Sequence, residues 1–143
     1  MEDIMTATHV INLEAAPYCP YSWPVEEHVS GDCDFEWDTT KVALYLDQGQ
    51  KYGRVIMGTE LREKLKGRPV MNANLMDYLL AHQELIPDDW KGKGICFWGT
   101  IYRAPNGDFG LRYIYWDGLG WAWVYRWFAN GFDSNSPTLV SVS

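Results

Sequence analysis

The chain has 143 residues, 47% apolar and 22% charged, which fits one globular domain and excludes collagen-like, coiled-coil and wholly disordered chains. The departures are a formal charge of −7 and an aromatic set of 8 Trp, 9 Tyr and 5 Phe. No apolar run approaches the roughly 18–20 residues of a membrane helix, and residues 1–8 carry acids where a secretory signal carries bases, so a cytoplasmic protein with no membrane partner is expected.

The charge is divided along the chain. Residues 1–40 hold nine acids and no Lys or Arg, whereas residues 41–143 hold ten acids and twelve bases. The excess is densest over residues 26–38. It marks Glu26, Glu27, Asp32, Asp34, Glu36 and Asp38 as candidate partner-binding residues that attract a basic protein or mimic a nucleic-acid backbone. The plainer alternative is a solvated segment that also pairs with the chain's own bases. Direct nucleic-acid binding is not expected, because the one basic cluster, Arg62, Lys64, Lys66 and Arg68, is short and faces a negative total. Pro17, Pro20 and Pro24 argue against regular structure near the start. One domain is expected, with an acidic, partly irregular segment over 1–40 and a core over 41–143.

Cys19, Cys33 and Cys96 form no metal-binding spacing, and their odd number argues for reduced thiols, although a Cys19–Cys33 bridge is open. Residues 42–46 read as a strand, 55–57 as another, and 60–66 as a short helix stopped by Gly67 and Pro69. Residues 74–82 give the clearest helix: Asn74 caps it, Asp77 follows three residues on, and Leu75, Met76, Leu79 and Leu80 form one apolar stripe.

The last third reads as a three-stranded meander over 95–104, 109–116 and 121–128. Asn106-Gly107 supplies a two-residue hairpin turn and Asp117-Gly118-Leu119-Gly120 the second turn. That register pairs Ile101 with Arg112, and Arg112 with Tyr125. One face then carries Phe97, Ile101, Ile114 and Trp116 with Trp121, Trp123, Tyr125 and Trp127, and reads as the core side under the helix. Arg103 and Arg112 sit toward one end of it, with Arg112 placed to stack on an aromatic ring. The other face carries Trp98, Tyr102, Tyr113, Tyr115 and Arg126 among apolar neighbours. Neither face is polar, so the second must be covered by residues 1–60, by another copy in a homodimer, or by a ligand.

The segments Ile86-Pro87-Asp88-Asp89-Trp90-Lys91-Gly92-Lys93, Phe97-Trp98-Gly99-Thr100-Ile101-Tyr102-Arg103 and Arg112-Tyr113-Ile114-Tyr115-Trp116 follow an IPxxWKxK…FWGTxYR…RYxxW pattern. In this the chain resembles a group of short, uncharacterised bacterial proteins over about residues 70–140. The resemblance implies a bacterial or phage-associated setting and treats the helix and meander as one unit. It carries no catalytic residue over.

No nucleophile, phosphate-loop or zinc-protease motif stands in the chain, and His9, His28 and His82 are far apart in sequence. Glu26-Glu27-His28 with Asp32 and Asp34 fits no calcium-loop spacing, so neither metal nor cofactor is expected. The reading is an α+β fold, an antiparallel sheet with one or two helices packed on one face. The function read is a non-catalytic binding protein acting through protein–protein contact. A carbohydrate or small-molecule module using the aromatic face is the first alternative, and a hydrolase with an unrecognised carboxylate pair is the second.

Overall fold

Phe109–Trp116 and Trp121–Trp127, rich in aromatic and β-branched residues, form the longest strands among the described residues, β8 and β9. A computed structural model describes residues 8–30 and 34–142. The remaining strands are short: β1 Val10–Asn12, β2 Val25–His28, β3 Asp34–Glu36, β4 Val42–Tyr45, β5 Ile56–Met57, β6 Ile95–Cys96, β7 Thr100–Arg103, β10 Gly131–Phe132 and β11 Thr138–Ser141. Two helices complete the fold, α1 Gly58–Lys64 and α2 Ala73–Ala81. The fold is therefore α+β, mostly sheet.

The main sheet runs β2-β7-β8-β6-β11-β4, with β9 on the other side of β8. All its pairs are antiparallel except β6 with β11. β6 and β7 are one strand broken in the middle. Ile95 pairs with Ile114 and Cys96 with Tyr113, yet Tyr102 pairs with Gly110, so three residues, Phe97, Trp98 and Gly99, are extra. The break occurs where Gly99 passes against the backbone before α2. A Cβ at Gly99 would stand 2.8 Å from Asn72 Cα, and the Gly99 N–H donates to the Met71 carbonyl at 2.9 Å.

The register of β8 with β9 is the expected one, with Arg112 opposite Tyr125 and Trp116 opposite Trp121. The first hairpin differs by one residue. Its loop is Pro105-Asn106-Gly107, closed by the Ala104 N–H on the Asp108 carbonyl at 2.8 Å, with Gly107 at φ +90°. Three-residue loops of this kind place the third residue in the left-handed region, which glycine enters without penalty. The extra loop residue pairs Arg103 with Phe109 and moves Thr100 and Tyr102 to the face opposite the one expected. Ile101 and Arg103 move the other way.

The two faces are buried by separate cores. On the predicted core side, α2 packs Leu75, Met76 and Leu79 against Phe97, Ile114 and Trp121, joined by Ile11 and Leu13. On the other side, Leu61 and Leu65 pack against Trp98, Ile101, Leu111 and Phe128, with Ile56 and Phe132 from the β5–β10 pair. The second face is thus covered mainly by α1 and residues just outside it. Burying a ring such as that of Trp98 contributes on the order of 3 kcal/mol.

α2 starts earlier than its sequence signals suggest. Asn72, rather than Asn74, is the cap, its Oδ1 accepting the Asn74 N–H at 3.0 Å. Asn74 instead donates to carbonyls of Asn12, Leu13 and Ala15. Asp77 takes no part in capping. Its two oxygens accept from the Arg112 guanidinium at 2.8 and 2.9 Å, and Arg112 is 1% exposed. Burial lowers the Arg112 pKa, but the hydrogen bonds and charge of Asp77 outweigh it and the group stays above its ordinary value.

Candidate functional site

Of the six acids singled out in the sequence, the five among the described residues are divided between two surfaces. Glu26 and Glu27 lie on β2, at an edge of the main sheet, where a register shift between Val25 and Glu27 bends the strand. Glu26 accepts from Arg103 at 2.8 Å and Glu27 from Arg62 at 2.9 Å, so both are neutralised by the chain's own bases. Exposed pairs of this kind contribute about 0–1 kcal/mol each.

Asp34 and Glu36 lie on β3, which pairs with β1 in a separate two-stranded ribbon. Alternation sends Phe35 and its partner Ile11 into the core and leaves both acids exposed. Among the described residues, no base pairs with either. Asp38 follows and accepts both the N–H and the hydroxyl of Thr40, at 2.9 and 2.8 Å. These bonds hold its carboxyl below the usual carboxylate range. Asp32 and Cys33 lie outside the described residues, and Cys19 is a free thiol.

The five residues assigned to an aromatic face divide as well. Trp98 is buried against Phe128 and Phe132, with ring centroids 5.0 and 5.3 Å away, and its indole N–H has no acceptor. Tyr102, flipped by the hairpin register, is wholly buried on the opposite face and donates to the Tyr18 carbonyl at 2.8 Å. Burial raises its hydroxyl pKa. Tyr113, Tyr115 and Arg126 do meet. With Lys93, Asp133 and Ser136 they line a shallow groove of about 390 Å³, the part of the second face that α1 leaves open. Arg126 donates to the Gly131 carbonyl, lies 4.8 Å from the Phe132 ring and, among the described residues, has no carboxylate partner. A larger groove of about 730 Å³ runs between β2 and the end of α1, with Trp98 and Ile101 in its lining and charges of both signs at Glu26, Glu27, Arg62 and Lys66.

Two features escaped the sequence reading. The first is the surface over β9. Tyr21 and Ser22 adopt left-handed φ of 59°, and that strained turn lays Trp23 on Tyr125 at 4.5 Å and on Trp127 at 5.2 Å. The Tyr125 hydroxyl donates to the Pro20 carbonyl at 3.1 Å, and burial, then Tyr102 nearby, pushes its pKa up. Arg112 stacks on Trp123 at 4.1 Å, two residues along β9 from the Tyr125 that stands opposite it. Every residue from Ala122 to Trp127 is half-buried, although the odd-numbered ones were assigned to the interior. The missing signal is that, among the described residues, no strand but β8 pairs with β9.

The second is a cluster of His9, Tyr78 and His82. The Tyr78 hydroxyl is 2.6 Å from His9 Nδ1, and the His9 and His82 rings are 5.5 Å apart. His28 is held at both ring nitrogens, by Thr100 Oγ1 and the Leu13 carbonyl, each at 2.9 Å. Burial pushes the Cys96 thiol up to about 12, so it is a poor nucleophile. Among the described residues, no three His, Cys, Asp or Glu side chains gather as a metal site, and no helix is long and apolar enough to cross a membrane. No family model matches the chain, and no curated protein or solved structure is significantly similar to it.

Proposed function

We propose that the protein is a non-catalytic binding protein that acts through protein–protein contact, with the outward acids of the β1–β3 ribbon directed at a basic partner. The observation that carries this reading is the contrast among the acids. Glu26 and Glu27 are neutralised, while Asp34 and Glu36 stand exposed with no base paired to them among the described residues, in a ribbon anchored by Ile11 and Phe35. Fixed, unpaired charges on a chain of net charge −7 speed the encounter with a positive surface and reject like-charged ones. An acidic inhibitor of a nucleic-acid-handling enzyme is one concrete form.

The test compares the native chain with the triple variant Asp34→Asn, Glu36→Gln, Asp38→Asn as bait in a bacterial extract, the setting implied by the sequence resemblance. The native chain is expected to retain a basic protein at low salt and release it as ionic strength rises, and the variant to retain little of it. Equal retention and equal salt dependence by both would sink the reading. A second reading is a small-molecule site at Tyr113, Tyr115 and Arg126, favoured because these three line one groove and Arg126 has no carboxylate partner among the described residues.

A further inference from the structure

Strand β9 leaves one side of its backbone unpaired. The Phe128 N–H bonds the Phe109 carbonyl and the Asp117 N–H bonds the Gly120 carbonyl, so even-numbered residues of β9 turn their main chain toward β8. The odd-numbered ones, Trp121, Trp123, Tyr125 and Trp127, point outward. Trp121 is closed off, because the Gln83 side chain bonds both its N–H and its carbonyl, at 2.9 and 3.1 Å. That leaves Trp123, Tyr125 and Trp127, symmetric about Tyr125. Among the described residues, the only bond to their outward groups is from the Asn130 N–H to the Trp127 carbonyl, which has a second lone pair.

Natural sheets guard such edges with charge, proline, bulges or short length. The β2 edge has two glutamates and a bulge, whereas β9 runs seven residues with no acid, proline or glycine. We infer that two copies of this chain join antiparallel along β9, with a two-fold axis through Tyr125. Trp123 then pairs with Trp127 of the second copy, Tyr125 with its equivalent, and Val124 with Arg126. All outward N–H and C=O groups of the three residues find partners, and aromatic side chains meet aromatic side chains on one face. The register is self-complementary, which favours a second copy as occupant although two copies carry like net charge. Arg126 is the one ionised group on the strand, and this register sets it against Val124 instead of against itself. The inference does not rest on the acidic-ribbon reading.

The test is the mass of the full chain by sedimentation equilibrium over a concentration series, at low and moderate salt. The native chain is expected to shift from monomer to dimer. Salt should strengthen the dimer by screening two chains of like net charge, opposite to its effect on a basic partner. Val124→Lys sets a lysine against the partner's Arg126 twice per dimer and should weaken association about tenfold. Val124→Glu makes the same position attractive and should leave the dimer at least as tight. In the native chain, the amides of Trp123, Tyr125 and Trp127 should exchange more slowly as concentration rises, a readout that needs no variant. A monomer at every concentration would overturn the inference. So would a dimer that is indifferent to both substitutions, or one that leaves those three amides unprotected.

Discussion

The two faces of β8 are buried by different chemistry. On the face shared with α2, a fully buried arginine stands in the middle of the strand, tied by two hydrogen bonds to Asp77 and stacked on Trp123. On the face shared with α1, Leu61 and Leu65 meet Leu111 and Phe128. Close packing dominates there: a Cβ at Gly58 would lie 2.5 Å from Phe128 Cα, and the Gly58 N–H donates to the Phe128 carbonyl at 2.8 Å, so α1 starts in direct contact with the backbone that follows β9. The first contact fixes where α2 sits through bond geometry, and the second holds α1 through shape and area. The difference shows that the two faces of a mostly antiparallel sheet can be covered by short helices held in different ways, one by a buried ion pair and one mainly by close packing.

Three measurements sharpen or break this contrast. Leu61→Ala removes a fully buried side chain from the apolar side and should cost about 3–4 kcal/mol in urea unfolding. A cost under about 1 kcal/mol would mean that α1 is a loosely held cover. Asp77→Ala leaves Arg112 buried without its partner and should cost about 3 kcal/mol, while the double change Asp77→Leu with Arg112→Met should return to within about 1 kcal/mol of the native chain. If the double variant is as weak as the single one, the ion pair supplies stability beyond position alone.

The smallest effect is in alkali, and each face has its own onset. Cys96 on the apolar face and Tyr102 and Tyr125 on the other are acids whose pKa is raised in the fold. The unfolded chain therefore releases these protons first. The associated stability is complete below the unfolded values and falls as pH rises through them toward the folded ones. The Cys96 contribution should begin to fall near its ordinary 9.0 and be gone beyond about 12. The tyrosine contribution should begin to fall near 10.0. Urea midpoints from pH 8 upward check this. Cys96→Ala should flatten the earlier decline, and Tyr125→Phe the later one.

Much of the fold is legible in particular residues. The stripe of Leu75, Met76, Leu79 and Leu80 gives α2, and Asp117-Gly118 between two alternating runs gives the register of β8 with β9. The acid-rich start, expected to be partly irregular, supplies three short strands, β1, β2 and β3, each of which takes its order from a partner strand. The candidate sites were less legible. Tyr102 was misplaced because the loop before Phe109 has three residues where Asn106-Gly107 suggested two. Glu26 and Glu27 were grouped with Asp34 and Glu36 because they are close in sequence, but sheet pairing sent them to different surfaces and supplied Arg62 and Arg103 as partners. Nothing in the alternation of β9 could show whether another strand lies beside it.

The sequence alone determined the elements whose pattern is local: a helical stripe, two alternating strands, and a turn between them. Tertiary structure decided which side chain faces which core, where β6 breaks from β7, which acids are neutralised, and which edge is left open. The physical reason is that side-chain periodicity is written within a few residues, whereas register and pairing depend on loop backbone conformation and on the close approach of distant segments, as at Gly99 and Asn72.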